Sequence, residues 1–369
     1  MIPVNTPFLN GNEKKYLNEC IDTGWISSEG PFVSRFEAEF SQYIGRKHGV
    51  AVCNGSAALD IAVRALHLDK GSEVIMPTFT IISPAQSLVN NGLVPVLVDS
   101  DPLTWNMDVD QIASKITPKT KAILVVHIYG LSVNMQPILE LAKKHDLKII
   151  EDAAEMHGQT CNGQLCGSFG DISIFSFYPN KHITTGEGGM ILTDDEKLNE
   201  ECRKYRNLCF IKERRFVHKE LGWNYRMTNM QAALGVAQLE QIDWVVNRKR
   251  EIGHRYQEHL KDVKGLQLPL KDTPYSKNIY WVFGLVADTE HLANKVQSDL
   301  KEQRIGTRPF FWNMHEQPVF NDMNLFKNET YPHAEKMARN GFYVPSGLGL
   351  TNDEIDVVSE AILKSVANG

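Results

Sequence analysis

The sequence predicts an α/β protein with a large domain on a mostly parallel seven-stranded sheet and a smaller C-terminal α/β domain. Three observations predict it. Seven short runs rich in Val and Ile recur over residues 48–193, helix-like stretches separate several of them, and the pattern changes after about residue 230. Strands alternating with helices imply a parallel sheet covered on both faces. A chain of 369 residues is long enough to fill one large and one smaller domain.

The strand candidates, in order, are HGVAVC (48–53), EVIMP (73–77), VPVLVD (94–99), KAILVVHIYG (121–130), LKIIEDAA (147–154), DISIFSF (171–177) and GGMILT (188–193). They are bounded by Gly, Pro, Asp or Asn and read as buried strands. SAALDIAVRALHL (56–68), VDQIASKI (109–116) and MQPILELAKKH (135–145) have the helical pattern. The stretch 227–260 exceeds ordinary helix length and predicts two helices or a kinked connector. WVFGLVAD (281–288), a helix near 290–303, the apolar RPFFWNMH (308–315) and a last helix from about 352 follow. The large domain with its N-terminal segment is expected over 1–245 and the small one over 246–369.

Charge and composition narrow the function. A formal net charge of −6 argues against a nucleic-acid partner held through its phosphates. No run approaches the roughly 18 apolar residues of a membrane span, and MIPVNTPFLNGNEKK lacks the basic-then-apolar order of a secretory signal. A cytoplasmic protein is expected. The cysteines at 20, 53, 161, 166, 202 and 209 form no C-x-x-C set, so no metal site is expected and free thiols are.

Ligands of such sheets sit beyond the C-terminal strand ends, and chemistry-bearing residues collect there. In FGDISIFSFYPNKHITTGEGGM (169–190), Lys181 follows a strand in a loop closed by Gly186, Gly188 and Gly189. A lysine at a strand end can leave water and lose its charge, as Schiff-base chemistry requires. Taken alone, a surface salt bridge is the ordinary role of a lysine. Asp152 closes the strand of IIEDAAE (149–155), where a carboxylate is costly unless it meets a cation. A protonated pyridine nitrogen would be such a cation; a helix cap or surface loop is the competing reading. In VCNGSAALD (52–60) a strand ends at Asn54-Gly55 and a helix begins at Ser56. Its first amides favour an anion such as a phosphate, although Ser is also an ordinary helix cap.

Together with NGSAAL, MPTFT, VHIYG, GSFGD, NYRMTNMQAA and the late RPFF before His315, these segments resemble the DegT/DnrJ/EryC1/StrS sugar aminotransferases. The resemblance spans nearly the whole chain. It implies an aspartate aminotransferase-like (fold type I) protein that uses pyridoxal 5′-phosphate (PLP) and works as a homodimer with two shared active sites. Carried over by position, it implies that Lys181 holds PLP, Asp152 meets the pyridine nitrogen, and Glu155 lies near the phenolic oxygen. Ser176 and the amides of Ser56 and Ala57 would hold the phosphate, with Asn224 reaching the neighbouring subunit's cofactor. Arg308 and His315 are the candidates for substrate contact.

The implied reaction is a ping-pong transfer from L-glutamate to a nucleotide-linked 4-keto-6-deoxy sugar. Within the family, the opening, FSFY…KHITTGEGG and RPFF segments look most like the branch that converts GDP-4-keto-6-deoxymannose to GDP-perosamine, in the synthesis of O-antigen lipopolysaccharide. UDP- or dTDP-linked sugars remain open. The chain departs from the family pattern in two places: Ile81 stands where an aromatic residue often stacks on the cofactor, and Trp312, Asn313 and Met314 stand before His315 where the family usually carries Tyr and Pro. A sugar 3-dehydratase is the other enzyme reading; in that branch histidine replaces the Schiff-base lysine, whereas position 181 is lysine and His182 follows it. A non-catalytic ligand-binding domain of a regulator would not need both Asp152 and Lys181.

Overall fold

Strands that are buried on both faces must alternate between two cores, and this chain does so. The computed structural model describes residues 1–211 and 214–367. All seven expected strands are present: β1 (His48–Val52), β2 (Glu73–Pro77), β3 (Val94–Val98), β4 (Thr120–Val126), β5 (Lys148–Asp152), β6 (Ile172–Ser176) and β7 (Gly189–Thr193). They form one sheet in the order β1-β7-β6-β5-β4-β2-β3. Six run in one direction, and β7 is antiparallel to both neighbours. The architecture is the fold type I arrangement.

Ile75, Ile123, Val125 and Ile149 face one core. Val74, Met76, Leu124 and Ile150 face the other. Helices Pro31–Ile44, Met135–His145 and Asn229–Leu239 cover the first core; helices Gly55–Ala65 and Ser83–Asn90 cover the second. Pro31 at the first turn and Gly45 at φ 84° bound the first of these helices, as fixed φ at entry and left-handed backbone at exit require.

The long stretch over 227–260 is two helices, Asn229–Leu239 and Ile242–Leu260. A reciprocal cap between Thr228 and Gln231 starts the first. The second leads into a four-stranded sheet of β8 (Leu266–Gln267), β9 (Phe283–Ala287), β10 (Arg308–Pro309) and β11 (Gly341–Val344), in the order β8-β9-β11-β10. Helices Glu290–Glu302 and Asn352–Ala367 pack on it around Val296, Leu300, Val358 and Ile362. The boundary expected at 245/246 lies inside the Ile242–Leu260 helix, which belongs to both packings. The N-terminal segment also bridges them: Ile2 pairs with Ile305, Ser346 N donates to Val4 O at 3.0 Å, and Asn5 Nδ2 donates to Pro179 O at 3.1 Å.

The ends of β1, β5 and β6 therefore lie side by side, with β7 returning between β1 and β6. At Gly189, the first residue of β7, an added Cβ would sit 2.5 Å from Asn54 O. That neighbour is backbone and cannot swing aside. Gly189→Ala is expected to destabilise the fold by about 1–3 kcal/mol through overpacking. Thermal unfolding against the parent protein measures it.

Candidate active site

The loop after β6 is folded back on itself before it delivers its lysine. Phe177 N donates to Gly188 O at 2.8 Å and Thr185 N to Phe177 O at 3.0 Å, while Thr184 Oγ1 also donates to Phe177 O at 3.0 Å. The Phe177 ring is anchored against Phe36 and Phe40. Lys181 is thus held at the rim of a cavity of about 440 Å³, lined among others by Asn54, Ser56, Asp152, Glu155, Ser176 and Trp281.

Inside that cavity Lys181 Nζ lies 3.5 Å from Glu155 Oε1 and 3.8 Å from the centre of the Trp281 ring. Burial lowers the lysine pKa, against the pull of Glu155 and Asp152. The carboxylates move the opposite way for the same reason. Burial raises Asp152 to about 6, although the Ala154 amide and Lys181 oppose it. It raises Glu155 to about 7, opposed by Lys181 and by the Tyr129 amide at 2.7 Å. Asp152 Oδ1 accepts from Ala154 N at 3.0 Å, and Oδ2 has no partner among the described residues. Behind it, His127 accepts the Val133 amide on Nδ1 at 3.0 Å and meets Glu151 through Nε2 at 3.0 Å. His127 is a satisfied interior group.

At the other end of the cavity, Gly55 starts a helix and Ser176 ends β6. A Cβ on Gly55 would lie 2.9 Å from Ser176 Cβ, so the space between them exists only because the residue is glycine. Ser56 Oγ and Ser83 Oγ are 2.7 Å apart at the same end. Ala57 differs from its expected role: its amide donates to the Asn54 side chain at 2.8 Å, and it does not line the cavity. The helix cap has taken that donor.

The remaining expected residues lie further out. Arg308 is exposed and lines an adjoining cavity of about 620 Å³ that shares Tyr178, Asn180, Trp281 and Tyr343 with the first. His315 is buried, with Nδ1 2.8 Å from Thr78 Oγ1 and Nε2 3.2 Å from Glu335 Oε1. It lines neither cavity. Asn224 is exposed, accepts from Arg226 Nε at 2.8 Å, and lies outside this chain's own cavity. Ile81 lines the cavity and is half exposed, whereas Trp312 stacks under Arg339 away from it. His182 points into the interior towards His157 rather than towards the cavity, and burial lowers its pKa. Sequence reasoning missed Trp281, Phe311 and Tyr343 in the lining; their packing against the strand ends comes from a distant part of the chain and leaves no local pattern.

A family profile, the DegT/DnrJ/EryC1/StrS aminotransferase family, matches residues 7–363. The chain belongs to that family. A GDP-perosamine synthase of Escherichia coli O157:H7 is 40% identical over 361 residues, covering 98% of this chain and 97% of the relative. A GDP-perosamine synthase of Caulobacter vibrioides is 41% identical over 364 residues, again covering 98% and 97%. Among solved structures, the aminotransferase TlmJ from Streptoalloteichus hindustanus superposes with a TM-score of 0.93 at 27% identity, covering 100% of this chain and 99% of that one. This member of the DegT/DnrJ/EryC1/StrS family is a PLP-dependent aminotransferase.

The residues fit the cofactor. A buried carboxylate with one open oxygen suits a protonated ring nitrogen, a desolvated amine suits covalent attachment, and a glycine-made recess beside two hydroxyls suits a phosphate. A pH effect follows. In the cofactor-free protein Asp152 and Glu155 have folded pKa values above their usual ones. Their contribution to stability is present at low pH and lost as pH rises through about 6 and about 7. A cation on the ring nitrogen would offset the buried charge of Asp152. The rise in Tm on adding PLP is therefore expected to be larger at pH 8 than at pH 5, as differential scanning fluorimetry would measure. An equal rise at both values contradicts this electrostatic account.

Proposed function

We propose that this chain transfers the amino group of L-glutamate to C4 of GDP-4-keto-6-deoxymannose, giving GDP-perosamine for O-antigen lipopolysaccharide. The observation that carries the reading is a largely buried lysine amine 3.5 Å from Glu155 Oε1 and within reach of the charge of Asp152, at the strand ends. The names of the 40% and 41% identical relatives support the sugar and the nucleotide.

When bound, PLP supplies an electron sink for the charge that develops as a proton leaves the carbon bearing nitrogen. The protein does the rest. Lys181 Nζ takes that proton and returns it at the neighbouring position, as base and then acid. Burial lowers its pKa, which favours the neutral amine that a base must be. Asp152 keeps the ring nitrogen protonated, and Glu155 stands by the phenolic oxygen. Ser56 and Ser176 hold the phosphate, and Arg308 in the adjoining cavity meets the substrate's diphosphate. His315 is held by Thr78 and Glu335 and would shape the sugar pocket from behind.

The working form in this reading is a cytoplasmic homodimer with shared sites. Among the described residues no helix is long and apolar enough to cross a membrane. Lys181 is the only lysine or arginine among the described residues lining the PLP cavity, so part of the phosphate's charge has no local partner. Asn224, exposed and turned away from its own cavity, would come from the neighbouring subunit. Ile81 and Tyr178 leave apolar surface open at the mouth, which a second copy would cover.

Two outcomes are expected. With L-glutamate and GDP-, UDP- and dTDP-linked 4-keto-6-deoxy sugars in turn, mass spectrometry should find the 4-amino product and 2-oxoglutarate, fastest with the GDP sugar. Release of ammonia with a 3-deoxy product would make the chain a dehydratase instead. Lys181→Ala and Asn224→Ala chains should each be inactive or nearly so, and mixing them should restore activity in heterodimers. A fully active monomer in sedimentation would end the shared-site reading.

A further inference from the structure

Trp281 is where three structural lines meet. It is 5% exposed and lies two residues before β9. Its indole N–H donates to Asn180 O at 2.8 Å, which ties it to the residue before Lys181. Its own carbonyl accepts from Lys249 Nζ at 2.9 Å, and its ring face lies 3.8 Å from Lys181 Nζ.

Lys249 is the less expected partner. It sits on the Ile242–Leu260 helix, is 4% exposed, and also donates to Ser346 O at 2.5 Å. No carboxylate pairs with it among the described residues. Burial alone pushes its pKa down to about 7. A buried amine without a counter-charge is expensive, and a plain apolar residue would fill the space at less cost. What the amine does provide is a double tether between the carbonyl of Trp281 and that of Ser346, two residues past the end of β11.

Lys181 has a long flexible stem whose freedom must be restrained for its amine to be in place. Glu155 meets the amine on one side and the Trp281 face on another. An indole face attracts an ammonium through its ring quadrupole, more strongly when water is absent. Two directions of contact define one position where a single carboxylate would leave a swing.

We propose that Trp281 is a positioning residue for the returning amine of Lys181, its indole holding the released side chain, and that Lys249 fixes the indole from behind. The proposal rests on Lys181 being the group that leaves and rejoins the cofactor. The charged and titratable groups around that amine are Asp152 and Glu155 from the end of β5, and His157 and His182 from the loops, with Lys249 beyond His182. None of these is altered by a change at Trp281.

The test has two arms. In cofactor-free protein, competitive acetylation across pH, read on the Lys181 peptide by mass spectrometry, gives the midpoint of this amine without turnover. Trp281→Met and Trp281→Leu, which lack the ring, should lower that midpoint by about half to one pH unit. Trp281→Phe, which keeps an aromatic face, should shift it by less. In the loaded enzyme the ringless variants should lose about tenfold in kcat with both KM values within about twofold. Lys249→Met should show the same split, Lys249→Arg should restore kcat, and Lys249→Met should add nothing in a Trp281→Met background. An unmoved Lys181 midpoint in both ringless variants overturns the proposal. So does a Lys249→Met loss that appears only as a lower unfolding temperature, or that adds in full to the Trp281→Met loss. Because acetylation needs no substrate, its failure is distinct from a failure to find the aminated sugar.

Discussion

An amine and two carboxylates held together out of water set the terms for the rest of this molecule. Each of the three groups alone would favour its neutral form in such a place. Placed together they share the penalty unevenly: Lys181 falls, while Asp152 and Glu155 rise to about 6 and about 7. Such a cluster persists only if rigid elements hold it. Asp152 closes β5, Glu155 is pinned by the Tyr129 amide, and Lys181 hangs on a loop with two bonds to a single carbonyl of Phe177. The deep aromatic packing of Phe36, Phe40 and Phe177 keeps that loop in register with the sheet.

The proposed chemistry uses the same imbalance. A raised Asp152 is short of a cation, which a pyridinium provides. Burial lowers the pKa of Lys181, which favours the neutral amine that can accept a proton. Position 181 also separates the two reaction classes on this fold. An amine can rejoin a carbonyl carbon after each half of a transfer, and an imidazole cannot form that bond. His182, one residue on, faces His157 in the interior and offers neither nitrogen to the cavity.

Much of this was legible in the sequence because buried parallel strands are apolar over their whole length. All seven Val- and Ile-rich runs are strands, and Lys181, Asp152, Glu155, Ser56 and Ser176 meet at their ends. What was not legible depends on contacts between distant residues. Trp281 reaches Asn180 across 101 positions, and Asn5 reaches Pro179 across 174. No local period encodes either. The family resemblance places the Ala57 amide at the phosphate, but that amide is the donor to the Asn54 helix cap. His315 stands in a recognisable motif, yet both ring nitrogens are committed to Thr78 and Glu335. A motif marks the neighbourhood of a site and does not say which way a ring points.

The central claim is that Lys181 is the residue that holds PLP, and reduction reads it directly. Borohydride applied to the PLP-loaded protein, followed by digestion and mass spectrometry, locates the fixed cofactor. The account predicts the reduced adduct on the peptide bearing Lys181, and its loss in Lys181→Ala. An adduct on any other lysine of the parent protein, including the buried Lys249 with its pKa near 7, would contradict it.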